Sequence, residues 1–287
     1  MQLCIFNPEH DLCMASGRAL YIPPRSAVQF AQRDAHLMQV LYPDAHCTSV
    51  YDLPTFNFQF SIFNSVVAWG WNAVLKHQLQ RHGVSENLLP SDKEIDTIRE
   101  LQHRTTVLPL QPDCRAIYNI EEAEALFAER PHWVLKAPWS GAGRGLRWLH
   151  GTLSDIDRHW IEKTVRNQRC AIAEPRREVV ADLALEYMDG TFLGYSLFRT
   201  GSGVYKENLP WSDDRIAAAY PLGDTRGRIE QWLVDTIFPH YRGPLGVDLM
   251  VCADGSIHVA ELNLRHTMGM VAHEKLRVMS YELRVKS

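Results

Sequence analysis

Two acidic residues near the C-terminal end, Asp248 and Glu261, have the residue type and the spacing of a cation-binding pair. Asp254-Gly255 between them is a strong hairpin signal, because both residues tolerate the positive φ angles that a two-residue turn requires. Such a turn predicts that Asp248 lies directly opposite Glu261, with the two Cβ atoms about 5 Å apart on one face. Asn263 lies two residues beyond Glu261 and therefore shares that face.

This trio predicts a metal site. Two carboxylates at that separation repel each other unless positive charge lies between them. Two carboxylates and an amide oxygen form the hard oxygen cluster that holds Mg²⁺ against phosphate groups. The alternative interpretation is a solvated hairpin face that binds no ion. We predict Asp248, Glu261 and Asn263 as metal ligands.

A glycine-rich segment, residues 140–145, is a candidate for phosphate binding. The apolar segments 133–137 and 146–149 on either side are both typical of strands, so the sequence predicts a hairpin rather than a strand followed by a helix. That context does not fit the phosphate-binding loops that need a helix N-terminus. A hairpin loop can instead fold over a nucleotide with its backbone N–H groups, although an ordinary flexible turn would have the same composition.

Lys136 ends the strand before this loop, where its ammonium group is placed to contact a phosphate. The candidate nucleotide-binding residues of this region are Lys136, Ser140, Gly141, Gly143, Arg144 and Gly145. Farther along, Glu174 ends another apolar strand and Pro175 follows it. Backbone groups at such a strand end can bind an adenine edge, with Glu178 in reach of a ribose hydroxyl. A plain surface loop is the alternative.

Together these segments resemble a known family. Lys136 with the 140–145 loop, then Glu174-Pro175, then Asp248 followed by Glu261-Leu-Asn263-Leu-Arg265, occur in the order of the ATP-grasp superfamily, which includes D-alanine:D-alanine ligase, biotin carboxylase and glutathione synthetase. The interval from Asp248 to Glu261 and the Glu-x-Asn triplet are its specific part. The resemblance covers roughly residues 91–275.

The resemblance implies a mixed α+β and α/β fold in which two α+β subdomains clamp ATP. Residues 91–180 would form the central subdomain with the glycine-rich loop, and residues 181–287 the C-terminal subdomain with the metal site. Residues 1–90 would form the small α/β domain that precedes the clamp, and their number matches the family's usual N-terminal domain.

The resemblance also implies roles for single residues. Lys136 would contact the α/β phosphates, and Glu174 with its neighbours would hold adenine. The predicted metal trio would coordinate one or two Mg²⁺ ions, with Mn²⁺ as another option. Arg265 would stand near the acyl phosphate.

Two assignments stay open at this point. The first lysine of the family has two candidates here, Arg104 and Lys93, of which Arg104 fits the expected position better. For the ribose, Glu186 and Asp182 are alternatives to Glu178.

The implied activity is that of an ATP- and Mg²⁺-dependent ligase. Phosphorylation by ATP turns a carboxylate, a poor electrophile, into an acyl phosphate that an amine or thiol can attack, and ADP and phosphate are released. The expected partners are small-molecule carboxylate and amine substrates, including an amino acid or peptide. Two alternatives are a kinase-like phosphotransferase of the same fold and a non-catalytic, ATP-binding regulatory module.

The first ninety residues are typical of a small α/β unit. We predict strands at 3–6 and 65–69 and helices at 27–41 and 72–81. Loops beyond strand C-termini line the ligand crevice of open α/β sheets. The candidate substrate-binding residues are His10, Asp11 and Trp71 in these loops, and Lys206 and Arg242 near the expected cleft. Capping and packing roles are the alternative for the first three.

The composition excludes several classes. The 287 residues are enough for two or three subdomains, and a formal net charge of −4 argues against a general nucleic-acid binder. Six scattered cysteines without CxxC spacing indicate reduced thiols. No signal-like N-terminus and no run of about 20 apolar residues occurs, so we expect a cytoplasmic protein without a membrane partner. A homodimer is common in the family, but no feature of this chain argues for one.

Overall fold

The structure is a computed structural model that describes residues 1–53, 60–141 and 145–286, with side chains described through residue 279. Its described strands form a three-stranded, a four-stranded and a five-stranded sheet. The strands are β1 (Gln2–Phe6), β2 (His46–Ser49), β3 (Ser65–Ala68), β4 (Arg115–Ile117), β5 (His132–Lys136), β6 (Leu146–His150), β7 (Ala171–Pro175), β8 (Val179–Met188), β9 (Thr191–Gly201), β10 (Val204–Leu209), β11 (Pro244–Cys252) and β12 (Ile257–Asn263).

Helices cover the sheets and connect them. The α-helices are α1 (His10–Ser16), α2 (Arg25–Arg33), α3 (Leu37–Leu41), α4 (Ala73–Arg81), α5 (Asp92–Leu101), α6 (Ile120–Ala125), α7 (Asp155–Gln168), α8 (Asp213–Ala219), α9 (Asp224–Trp232) and α10 (Met268–Lys286). A 3₁₀ helix, Arg104–Leu110, follows α5, and a π-helical turn, Leu233–Ile237, continues α9.

The N-terminal sheet is parallel, with β1 between β2 and β3. Its two apolar strands were predicted, whereas β2 (His-Cys-Thr-Ser) lacks the apolar run that would have indicated a strand. Parallel pairing brings the loops after β1 and β3 to one edge of the sheet. There the Asn7 side chain donates to the Gly70 carbonyl at 2.8 Å and accepts from the Gly70 N–H at 3.3 Å.

The predicted helix at 27–41 is wrong as a single element. The chain forms α2 and α3 with a break at residues 34–36, and α2 begins directly after Pro24. The break lets Leu37 and Met38 turn into the N-terminal core, where both are buried. Two serines in the sequence mark helix starts more directly, since Ser91 and Ser154 both form capping boxes at the starts of α5 and α7.

The central sheet is antiparallel in the order β4-β7-β5-β6. Lys136 of β5 lies opposite Leu146 of β6, so the glycine-rich segment joins two paired antiparallel strands, as predicted. The Ala137 N–H donates to the Gly145 carbonyl at 2.8 Å and closes the base of this loop. Gly143 and Arg144 lie outside the described residues.

The C-terminal sheet, β10-β9-β8-β11-β12, contains the predicted hairpin, but its turn differs from the expectation. The Cys252 N–H donates to the Ser256 carbonyl, so three residues form the loop instead of two, with Gly255 at φ 81°. Leu249 pairs with Val259 while Asp248 pairs with Glu261, which leaves Ala260 as an extra bulged residue. The bulge offsets the longer turn by one position, and Asp248 still lies opposite Glu261.

The C-terminal part of the chain packs directly on the N-terminal sheet. Val271 of α10 belongs to the same buried cluster as Phe6, Leu37 and Trp69. His266, just before α10, lies within hydrogen-bond distance of the Ala68 carbonyl through Nδ1 (3.0 Å) and of the Tyr42 hydroxyl through Nε2 (2.8 Å). A carbonyl can only accept, so Nδ1 carries the proton and Tyr42 donates to Nε2.

Because burial lowers the pKa of His266 to about 4, the unfolded chain takes up the proton first as the pH falls. We expect this residue to make the protein about 2 kcal/mol less stable at pH 5 than at pH 7.5, since the unfolded state binds more protons between the two pKa values. Urea unfolding of His266→Asn should show a flatter pH dependence than the wild type. The exposed His159, changed to Asn, is the control. An unchanged slope in His266→Asn would contradict the prediction.

The three sheets follow one another along the chain within the predicted ranges 1–90, 91–180 and 181–287, apart from β8, which begins at Val179. The domain boundaries themselves stay predictions. None of the described helices has the length and apolar character that crossing a membrane requires. All six cysteines are free thiols.

Candidate active site

Two cavities lie over the five-stranded sheet and meet at the predicted metal ligands. The first, of about 400 Å³, opens between the central and C-terminal sheets, and we call it the nucleotide cavity. The second, of about 710 Å³, is bounded by the N-terminal sheet, the C-terminal sheet and α10, and we call it the acceptor cavity. Asp248 and Glu261 line both cavities, together with Phe198 and Tyr205.

The nucleotide cavity has an apolar slot with charged groups at its ends. Val134, Leu146 and Trp148 of the central sheet face Leu249 and Met250 of the C-terminal sheet across it. An apolar slot between two sheets suits a purine ring.

Lys136 and Glu174 form a buried ion pair at the edge of this slot. Lys136 Nζ donates to Glu174 Oε2 at 2.8 Å, and both side chains line the nucleotide cavity. The pair results from sheet register, because Lys136 of β5 lies beside β7, the strand that carries Glu174. An ammonium group held in a cavity between two sheets is placed to meet an anionic ligand.

Arg104 lies at the junction of the two sheets. Its guanidinium donates to the Ala137 carbonyl, to the Ser140 hydroxyl (2.6 Å) and to the Glu261 carboxylate. Burial lowers the pKa of Arg104 to about 10, although Asp11 and other acids raise it. The Nε–H group of Arg104 is buried without a partner among the described atoms, which leaves one donor for a ligand.

Of the two candidates for the first family lysine, Arg104 is the one that reaches the cavity. Lys93 is exposed on the first turn of α5 and lines neither cavity. Arg104 therefore stays our prediction for this position, and its planar group can contact two phosphate oxygens at once.

Asp248 and Asn263 are the other two members of the predicted metal trio, beside Glu261. Asn263 Nδ2 donates to Asp248 Oδ2 at 3.1 Å, and Glu261 pairs with Arg104. Burial raises the pKa of Asp248 to about 6, against the lowering effect of Arg265. This carboxylate lacks an ion-pair partner within the described part of the chain, and a divalent cation would supply that charge.

The donor set therefore fits Mg²⁺ in chemistry, with two carboxylates and one amide oxygen beside a cavity. Glu261 can act as a metal ligand only if its ion pair with Arg104 breaks. Among the described residues no group of three or more His, Cys, Asp and Glu side chains is close enough to hold a metal ion. The predicted site has only two such side chains, Asp248 and Glu261, because its third ligand is the amide of Asn263.

Arg265 faces the acceptor cavity, and Asp11 of α1 holds it there. Arg265 donates to both Asp11 oxygens, at 3.3 and 3.0 Å. Gln102 donates to Asp11 Oδ1 at 2.9 Å, so its own oxygen must accept from His10 Nε2 at 3.1 Å. Asn72 then donates to His10 Nδ1 at 3.2 Å. This relay joins three parts of the chain and orients the Arg265 guanidinium.

Of the two predicted substrate residues in this network, His10 lies away from both cavities and Asp11 lines one of them. His10 is fully buried, and burial lowers its pKa, so it is part of the relay and lines neither cavity. Asp11 does line the acceptor cavity, but its carboxylate is occupied by Arg265. Gln102, which connects them, carried no signal in the sequence beyond its position at the end of α5.

Three other predictions place residues in a cavity where the structure does not. Trp71 packs against the hydrophobic cores. Arg242 donates to the Asp189 carbonyl at 3.0 Å, at the β8–β9 turn. Glu178 is exposed, and its carbonyl accepts from the Ala253 N–H. None of the three lines the cavities, because loop and strand-end side chains point according to local packing. Lys206 does line the acceptor cavity.

Asp182 and Glu186, the two alternative candidates for binding the ribose, line different cavities. Asp182 lines the nucleotide cavity and accepts from the Thr200 hydroxyl at 2.7 Å. Glu186 lines the acceptor cavity, where Ser196 and Thr267 donate to its oxygens at 2.8 Å each. Burial raises the pKa of Glu186 to about 7. Of the three candidates, Asp182 is the one that lines the nucleotide cavity, and it stays our prediction for the ribose contact.

Two glycines of the loop are explained by close approach. A Cβ atom on Gly141 would clash with the Asp11 carboxylate, and one on Gly145 would clash with the Ser140 side chain. The described part of the loop thus packs closely on Asp11, and Ser140 lines the nucleotide cavity.

Comparison with solved structures identifies the fold. The chain is similar to N5-carboxyaminoimidazole synthetase from Staphylococcus aureus, solved with ADP, with a TM-score of 0.53 and 13% identity over 93% of this chain and 70% of that chain. It is also similar to D-cycloserine synthetase, with a TM-score of 0.60 and 14% identity over 99% of this chain and 100% of that chain. The chain has the ATP-grasp fold.

A further similar structure is D-alanyl-alanine synthetase A from Vibrio cholerae, with a TM-score of 0.54 and 12% identity over 98% of this chain and 93% of that chain. No protein-family model and no curated protein sequence matches the chain. At these identities the likeness establishes the ATP-grasp fold alone. The chemistry has to be argued from the residues at the two cavities.

Proposed function

We propose that this ATP-grasp protein is an ATP- and Mg²⁺-dependent ligase that joins a carboxylate to an amine through an acyl phosphate and releases ADP and phosphate. The observation that carries the proposal is the meeting of two cavities at Asp248 and Glu261. One cavity has a slot for a purine and the other has room for an acid and its acceptor. The similar Staphylococcus aureus structure contains ADP, which supports ATP as the nucleotide.

On the nucleotide side, Lys136 and Arg104 would neutralise phosphate charge, and Asp182 would receive the ribose. Glu174 would keep Lys136 in position, and adenine would lie in the slot beside it. Ser140 and the backbone of the glycine-rich loop would cover the triphosphate and exclude water. Arg144 and Gly143 of that loop remain predicted contacts.

Asp248, Glu261 and Asn263 would hold Mg²⁺. When bound, the ion neutralises charge on the phosphate oxygens and so favours transfer. The chain's own part is to position these oxygen ligands on one rigid hairpin. Phosphate groups that draw Arg104 toward them would free the Glu261 carboxylate for the metal.

On the acceptor side, a carboxylate oxygen of the first substrate attacks the γ-phosphorus of ATP, and ADP leaves. The amine nitrogen of the second substrate then attacks the carbonyl carbon, loses a proton, and displaces phosphate. Arg265 would stabilise the negative charge that develops on the carbonyl oxygen. Asp11 would keep its guanidinium directed at that point.

The size of the acceptor cavity favours a ligase over a phosphotransferase. At about 710 Å³ it is larger than the nucleotide cavity, and Arg265 lines it beyond the metal ligands. A phosphotransferase needs only room for one acceptor group next to the γ-phosphate.

The test is ADP release from MgATP in the presence of paired carboxylates and amines, with the products identified by mass spectrometry. We expect release to require both substrates and to stop when EDTA removes the metal, because phosphoryl transfer depends on a metal ion to neutralise the charge that Lys136 and Arg104 leave on the triphosphate. Added Mg²⁺ should restore it. ADP release with the acid alone and a stable phosphorylated product would identify a phosphotransferase. ATP binding without any turnover would indicate the alternative function, a non-catalytic regulatory module.

A further inference from the structure

The acceptor cavity has an apolar wall that the proposed chemistry does not use. Phe6, Phe30 and Trp69 form an aromatic group in which Phe6 meets Trp69 at 4.9 Å and Phe30 at 5.7 Å, edge to face. Leu37 and Val271 continue the wall. Phe30 is 38% exposed, although Phe6 and Trp69 beside it are buried. An exposed aromatic side chain at a cavity wall is available to contact an apolar ligand group.

Two lysines without an ion pair among the described side chains also belong to this cavity. Lys206 and Lys275 line it, and neither forms an ion pair with the side chains described through residue 279. The acids Asp11, Asp34, Glu207 and Glu261, by contrast, are each paired with an arginine. Free ammonium groups in a cavity attract an anionic group of the ligand.

These cations lie at the end of the cavity that is remote from Arg265. Lys275 is seven residues beyond Met268 on α10, which places it about 10 Å farther along the helix axis. Lys206 is on β10, three strands away from Asp248 of β11, or about 14 Å across the sheet. The apolar wall, with residues from α2, β1 and α10, lines the same cavity.

Nearer to Arg265, the cavity carries a carboxylate that is not one of the proposed metal ligands. Glu186 lines the cavity there and has no ion-pair partner among the described residues. Ser196 and Thr267 each donate to one of its oxygens, at 2.8 Å. A further hydrogen-bond donor, such as the amino group of a ligand, can contact the same carboxyl group.

We propose that the second substrate is an α-amino acid with an aromatic or large branched side chain, bound with its amino group toward Glu186 and its carboxylate toward Lys275 and Lys206. The inference rests on the proposed ligase function, since it names the amine that the reaction uses. A zwitterion matches the two charged ends of the cavity. The side chain would contact Phe30 and the wall behind it, and burial of a ring there favours large ligands over small ones.

The test uses calorimetric binding of phenylalanine, in both enantiomers, to the protein loaded with Mg²⁺ and a non-hydrolysable ATP analogue. Alanine lacks the ring, and phenethylamine lacks the carboxylate. We expect the preferred enantiomer of phenylalanine to bind about 10-fold or more tightly than alanine and more tightly than phenethylamine. Phe30→Ala should weaken phenylalanine binding but leave alanine binding unchanged. Lys275→Gln should weaken phenylalanine binding but leave phenethylamine binding unchanged.

Two exposed residues of α7, Ile156 and Lys163, provide matched controls. Ile156→Ala and Lys163→Gln should bind all three ligands like the wild type. Equal binding of alanine and phenylalanine, or binding of neither, overturns the inference, as does a Lys275→Gln effect of equal size on phenethylamine.

ADP release separates this inference from the proposed function. Release with alanine but not with phenylalanine would support the ligase and overturn the aromatic acceptor. Phenylalanine binding that depends on Phe30 and Lys275, without ADP release for any acid, would keep the binding site and count against the ligase.

Discussion

Replacing Asp248 by Asn or Glu261 by Gln is expected to lower ADP formation by roughly 10³-fold or more. Each change removes a negative oxygen ligand from the junction of the two cavities, and a loss of that size corresponds to about 4 kcal/mol of transition-state stabilisation. The rate is measured as ADP release at saturating MgATP and substrates. Activity of both variants within threefold of the wild type would show that the metal assignment is wrong.

The same two variants should differ in stability, and this provides a check that needs no turnover. Asp248 is a half-buried carboxylate without a cation partner among the described residues, so Asp248→Asn is expected to leave the free energy of unfolding unchanged or to raise it. Glu261→Gln breaks the ion pair with the buried Arg104, and we expect a loss of about 1–3 kcal/mol. Urea unfolding without metal or nucleotide measures both.

A matched control lies on the same hairpin. Asp254→Asn in the turn removes one negative charge away from both cavities, and Asn can still accept from Ser256 as Asp254 does. This variant should keep both its activity and its stability. A loss equal to that of Asp248→Asn would indicate a general charge effect instead of a metal ligand.

The second large effect concerns Arg265 and the acid that holds it. Arg265→Gln is expected to lower kcat by about 10²–10³-fold, because a cation aimed at the developing oxyanion is lost. The dissociation constant of ATP should stay unchanged, since Arg265 lines the acceptor cavity and not the nucleotide cavity. Single-turnover kinetics and ATP titration measure the two quantities separately.

Asp11→Asn should change the same two quantities in the same way as Arg265→Gln. Its effect is indirect, because Asp11 positions Arg265 and does not itself stabilise the oxyanion. It removes the charge that fixes the guanidinium while keeping the shape, and we expect kcat to fall about 10–100-fold with ATP affinity intact. The double variant Asp11→Asn, Arg265→Gln should be no slower than Arg265→Gln alone, because the two residues act as one unit. Asp44→Asn, at an exposed acid of the N-terminal part, is the control. Additive effects, or weaker ATP binding in Asp11→Asn, would contradict this role.

Local patterns in the sequence determined the elements that support the site. The alternation of residues in a strand placed Asp248, Glu261 and Asn263 on one face, and the caps Ser91 and Ser154 marked helix starts, because these signals act over a few residues. The glycine-rich hairpin and the ATP-grasp fold followed from the order of such segments. Even here one local rule failed, and the bulge at Ala260 compensated for a turn one residue longer than expected.

Tertiary structure decided which of the candidate residues meet. Arg265 and Asp11 are 254 positions apart and Arg104 and Glu261 are 157 apart, and no periodicity in the sequence encodes such pairs. His10 was predicted at the substrate and instead lies within a buried relay, because Gln102 from another part of the chain packs against it. The aromatic wall and the free lysines of the acceptor cavity likewise arise only when α2, α10 and β10 come together. Partners brought together by packing depend on the whole chain, whereas caps, turns and alternation depend on neighbours in sequence.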